Sequence, residues 1–158
     1  MRYVDVEADR PRYRINLFHR FTPRFQAGVE ANPGAREVGP VANWILTPET
    51  ERYPMVSLGT SSDRIFSPPG TQSYYVAFAK GFPRYRVAPY VSLFYSEWED
   101  TVIFPFGANV SLSERWDLMP MNDGRNTHVL LTHKWEKANL SAMLVKMRYP
   151  GISFGFSF

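Results

Sequence analysis

Gly151-Ile152-Ser153-Phe154-Gly155-Phe156-Ser157-Phe158 sets four large apolar side chains at strict period two, with only Ser and Gly between them. In an extended strand alternate residues point to opposite faces. The stretch therefore has one wholly apolar face and one nearly bare face. A soluble protein can bury such a face in a core, but chain ends tend to fray into water. In a membrane barrel the same pattern turns aromatics toward lipid and small polar groups toward a lumen.

The segment resembles the C-terminal strand of bacterial outer-membrane β-barrel proteins, which commonly ends in Phe behind alternating aromatic positions. The resemblance rests on these eight residues. It implies that Ile152, Phe154, Phe156 and Phe158 face lipid and form the assembly signal read by the barrel-assembly machinery. It also implies location in the bacterial outer membrane. The partners would then be a lipid bilayer, or detergent in its place, and other envelope proteins.

Composition sets bounds on this reading. A chain of 158 residues suits one domain, here 1–158. Its mean hydropathy is −0.30, and its apolar runs fall far short of the ~20 residues of a spanning helix. A barrel is compatible with that average, because only half of each strand meets lipid. With no cysteine there are no disulfides, no thiol nucleophile and no Cys-based zinc site. The net charge of +3 is mild and the arginines are scattered, so no nucleic-acid footprint is present. Met1-Arg-Tyr-Val-Asp5 has no apolar signal core. An outer-membrane protein needs one, so the expectation is a mature barrel or the barrel portion of a longer chain.

Helix signals are nearly absent. Thirteen prolines and ten glycines punctuate alternating segments of about eight residues. These segments predict an all-β, closed up-and-down antiparallel barrel of about twelve strands, with ten as the shorter alternative. The cleanest internal alternation is Phe104, Phe106, Ala108, Val110 and Leu112 against Gly107, Asn109 and Ser111. Tyr149-Pro150-Gly151 reads as a tight turn into the last strand. Ser61 to Thr71, with Pro68-Pro69-Gly70, reads as the longest outer loop.

If the apolar faces look outward, the alternate positions line the lumen. Asp5, Glu7, Arg12, Arg14, Glu30, Lys146 and Arg148 then form one lumenal charge network, because the last strand of a closed barrel pairs with the first. Such a network either fills the interior or selects solutes by sign. Tyr13, Trp44, Tyr74, Tyr95, Trp116, Trp135 and Tyr149, near segment ends, suit interfacial girdles. The function expected is a small pore or a structural barrel in an envelope assembly. A soluble barrel binding an apolar ligand has the same periodicity with inside and outside exchanged. A lipid-modifying barrel enzyme is the third reading. His19, His128 and His133 are the only histidines, and neither a nucleophile elbow nor metal-ligand or cofactor spacing accompanies them.

Overall fold

The structure, a computed structural model, describes residues 1–7, 12–64 and 66–157. Phe158, the last member of the terminal stripe, lies outside the described residues. The strands are β1 (Arg2–Val4), β2 (Tyr13–Thr22), β3 (Phe25–Asn32), β4 (Glu37–Thr47), β5 (Met55–Ser62), β6 (Gln72–Ala79), β7 (Val87–Ser96), β8 (Thr101–Ile103), β9 (Phe106–Ser111), β10 (Trp116–Asn122), β11 (Thr127–Lys134), β12 (Ala138–Val145) and β13 (Tyr149–Phe156). Each is antiparallel to its neighbours. The ring closes where β1 meets β13, with Arg2 opposite Ser153, Tyr3 opposite Ile152 and Val4 opposite Gly151.

β8 and β9 fill one place in the ring, so the barrel has twelve strand positions. The break falls at Phe104-Pro105, because proline has no N–H for the ladder. Its carbonyl still accepts the Ser92 N–H at 2.8 Å. The pleat runs through unchanged: Val102, Phe104 and Phe106 are exposed while Ile103 and Pro105 are buried.

The pleat sorts the side chains. On the outside lie Ile15 and Leu17 of β2, Val91 and Leu93 of β7, and Ile152, Phe154 and Phe156 of β13, all exposed. The strands contain seven charged residues: Arg2, Arg14, Arg20, Glu30, Glu37, Asp117 and Lys134. All seven share the inward face. Their registers show it: Arg14 lies opposite Arg2, Arg20 opposite Gln26, Glu30 opposite Gly39, Glu37 opposite Asn32, and Asp117 opposite Thr132.

Two strands depart from the sequence expectation. In β12 the inward residues are Ser141, Met143 and Val145, all buried, so Met143 and Val145 do not join the outer face. In β1 the inward residues are Arg2 and Val4, and Val6 beyond the strand is buried as well. The last turn also shifts. Tyr149-Pro150-Gly151 belongs to β13, and the chain reverses at Lys146-Met147, both at φ 52°. That positive-φ pair is what a type I′ hairpin turn requires, and Arg148 N–H closes it on Val145 O at 3.0 Å.

Two inward tyrosines lie over glycines of the neighbouring strand: Tyr75 opposite Gly59 and Tyr90 opposite Gly107. A Cβ on Gly107 would sit 2.9 Å from the Tyr90 ring and 2.8 Å from Pro120 O. The missing side chain is what lets the ring lie flat across the lumen wall. Gly107→Val is expected to lower stability by about 1–3 kcal/mol, the usual cost of overpacking. Its urea midpoint measured beside wild type checks this; an unchanged midpoint would mean Tyr90 moves aside freely.

Candidate functional site

The inward faces enclose a chamber of about 400 Å³. Ala77, Phe94, Met121, Leu130, Met143 and Val145 supply apolar wall. Arg2 and Arg14 line it as well, and they sit directly opposite each other on β1 and β2. Like charges so placed repel. Glu30, 1% exposed, lies beside them and pairs with Arg14. It is held by Ser62 Oγ and by Asn32 Nδ2, the latter at 3.2 Å. Asn32 Nδ2 also reaches Glu37 at 3.1 Å.

The β5–β6 connection, described at Asp63, Arg64 and Phe66 to Thr71, folds into the barrel mouth. Asp63 and Arg64 are 4% and 8% exposed, which an outward loop would not produce. Asp63 accepts from Ser96 Oγ at 2.7 Å and from the Trp98 N–H at 3.1 Å. Arg64 pairs with Glu99, which also binds Arg125 at 2.8 Å. Phe66 packs on Val4, Val6, Met143 and Val145, with the Tyr149 ring 5.6 Å away and Lys146 Nζ 3.8 Å above its face. The Gly70 N–H donates to Glu37 at 2.6 Å. The loop is thus a cap tied by ions at its rim and by an apolar wedge at its centre.

His128, buried, completes the same mouth. Its Nδ1 accepts the Lys146 N–H at 3.2 Å, leaving Nε2 to face Asp123 at 3.0 Å. Burial raises the Asp123 carboxyl, but hydrogen bonds from His128 and from the Asn126 and Arg125 amides outweigh it and hold the group below 3.8. Glu99 behaves alike: burial raises it, and Arg125 and Arg64 hold it below 4.5.

The expected seven-residue network is only partly assembled. Arg14 and Glu30 meet in the lumen as the alternation predicts. Asp5 and Glu7 do not: both are exposed, because pairing with β13 turns Val4 inward and the intervening positions outward. Arg12 sits ahead of β2, donating to Val6 O at 3.0 Å. Lys146 and Arg148 lie in the last turn rather than inside a strand. The reading missed Arg2, Asp63, Arg64, Glu99 and Asp123, and named His128 without giving it a role. The adjacent opposite charges of Asp63-Arg64, next to a proline-rich stretch, were the available hint.

Six of the seven expected girdle residues are exposed on the outer face, Trp135 most at 51%. By strand direction Tyr13, Tyr74 and Tyr95 lie toward the capped end, and Trp44, Trp116 and Trp135 toward the other. His133 stands between Trp116 and Trp135, with centroids 4.6 and 4.4 Å away. Tyr149 is the exception. It turns inward to Phe66, because the shifted turn reverses its face.

No family model matches the chain, and no curated protein or solved structure matches it at a significant level.

Glu99 and Asp123 are ordinary acids held below their usual values, so each contributes stability fully above its usual value, Glu99 to the cap through Arg64 and Asp123 to the β10–β11 turn through His128 and the Arg125 and Asn126 amides. That contribution is lost as pH falls below about 4.5 for Glu99 and below about 3.8 for Asp123. Amide-exchange protection across Asp63 to Thr71 is expected to drop over that range. Glu99→Gln is expected to reproduce the drop at neutral pH. Equal protection in variant and wild type would mean the apolar wedge alone holds the loop.

Proposed function

We propose that this chain is an integral β-barrel of the bacterial outer membrane that serves as a narrow passage or as the barrel component of an envelope assembly. The carrying observation is the sorting of charge: all seven charged strand residues face the lumen, and none faces outward. In water the outer face would be ruinous. Side chains such as Leu17, Phe21, Phe106 and Phe156 are more than half exposed there, part of an apolar face of a kind that soluble monomers rarely present. A hydrocarbon surround covers it. A soluble barrel of the same periodicity would place these groups inside.

Tyrosines toward one end and tryptophans toward the other support two interfacial belts. On this reading the capped end is external, because it carries the longest described connection, and β13 runs toward the periplasm. Ile152, Phe154 and Phe156 then present the lipid-facing stripe through which the barrel-assembly machinery would recognise the strand. The lumen supports limited passage only. The Arg2, Arg14 and Glu30 side chains narrow it on one side, and the inserted cap narrows its mouth.

Refolded chain is expected to enter lipid vesicles and to run with a heat-sensitive mobility on gels. A folded monomer in plain buffer without amphiphile would refute the membrane reading. In planar bilayers the wild type is expected to conduct weakly. Phe66→Ala, which removes the wedge, is expected to raise conductance severalfold. Arg14→Ala is expected to shift ion preference toward cations. A silent bilayer for all three would leave the structural-component role standing and remove the passage.

A further inference from the structure

We propose that the chamber binds a small amphipathic carboxylate, with Arg2 as its anchor. This goes beyond the membrane reading and concerns the barrel interior alone. Arg2 lines the chamber, and its Nε is buried without a hydrogen-bond partner among the described residues. Its neighbour across the strand pair, Arg14, is engaged by Glu30. Among the described residues this wall carries two guanidiniums, Arg2 and Arg14, and one carboxylate, Glu30. A buried guanidinium N–H without a partner is costly, and the planar fork it belongs to matches a carboxylate.

The opposite wall sets the rest of the ligand. In a ring of twelve positions, β1 and β2 face the positions of β7 and of β8 with β9. From there and from the next strands come Phe94, Pro105, Met121 and Leu130, with Tyr90, Ser92, Asp123 and His128 among them; Asp123 is held by His128 at 3.0 Å. A wall with two arginines therefore faces a mainly apolar one across about 400 Å³, at the small end of the range for ligand sites. The unpartnered Arg2 Nε fits a single carboxylate. The apolar wall fits a compact hydrocarbon body and gives nothing to a bare phosphate.

The test uses fluorine NMR on the full chain in lipid nanodiscs, with empty discs as the blank. The probe is 4-(trifluoromethyl)benzoate, the neutral control is 4-(trifluoromethyl)benzyl alcohol, and the competitor is inorganic phosphate. Wild type is expected to bind the carboxylate saturably, bind the alcohol at least tenfold more weakly, and release neither to equimolar phosphate. Arg2→Gln is expected to weaken the carboxylate at least tenfold and leave the alcohol unchanged. Leu130→Trp, which fills the apolar side without touching Arg2, is expected to abolish both. Heat-sensitive gel mobility reports folding of each variant; if Arg2→Gln does not fold, Arg2→Lys takes its place, with severalfold weakening expected from loss of the fork. Equal binding of acid and alcohol, an undiminished Arg2 variant, displacement by phosphate, or no binding at all would each overturn the proposal. If the chain folds without discs, the membrane reading fails, and the same titration in buffer still tests the chamber.

Discussion

Closure of an antiparallel ladder on itself is the constraint from which the rest of this molecule follows. Once β1 pairs with β13 the ring of strands closes, through a short seam of three residues with β13 and two with β2, and every strand is committed to one pleat. A shift of one residue in any pair would exchange that strand's faces. The charges make such a shift prohibitive. Moving β3 by one would send Glu30 outward, part it from Arg14, and pull Val29 into the lumen. Register is thereby fixed by ion placement as much as by hydrogen bonds. It survives even at Pro105, where one ladder donor is missing.

The cap imposes a second, local demand. A loop can enter a polar lumen only if its backbone and charges find partners there. Asp63 finds Ser96 and the Trp98 amide; Arg64 finds Glu99; Gly70 finds Glu37. Its wedge, Phe66, needs an apolar seat, and β1 and β12 supply it with Val4, Met143 and Val145. These two strands flank β13, so the seat forms where the ring closes. One patch of lumen is therefore apolar inside an otherwise polar mouth.

That patch explains what was legible in the sequence and what was not. Strand existence was readable almost throughout, because Pro and Gly punctuate the chain and alternation fills the gaps. The outward stripe of β13, the continuous pleat across Phe104 to Leu112, and the Arg14–Glu30 pair all follow from period two. The rule that apolar means outward failed where the cap docks. Val4, Val6, Met143 and Val145 look like lipid-facing residues because a protein seat and a bilayer ask for the same side chains. Assigning them outward sent Asp5, Glu7, Lys146 and Arg148 to the wrong places. The last turn misled for a separate reason: Pro150-Gly151 carries the usual turn residues, yet Lys146 and Met147 take the left-handed conformations. Nothing local in the sequence reveals that a loop will fold inward, since its partners lie thirty or more residues away.

The lumen is consequently asymmetric around the ring as well as along it. Charged strand residues come from β1 to β4 and from β10 and β11; β5 to β9 and β12 to β13 contribute none. Asp117 and Lys134 pair at 2.8 Å, and Arg14 is engaged by Glu30. Arg2 keeps a buried Nε without a partner among the described residues. A charge in such a chamber acts more strongly than the same charge in open water. If the barrel passes solutes as proposed, the Arg2 guanidinium and the apolar residues lining the same chamber would sort them by how charge and apolar body are arranged, a finer criterion than net charge or size alone.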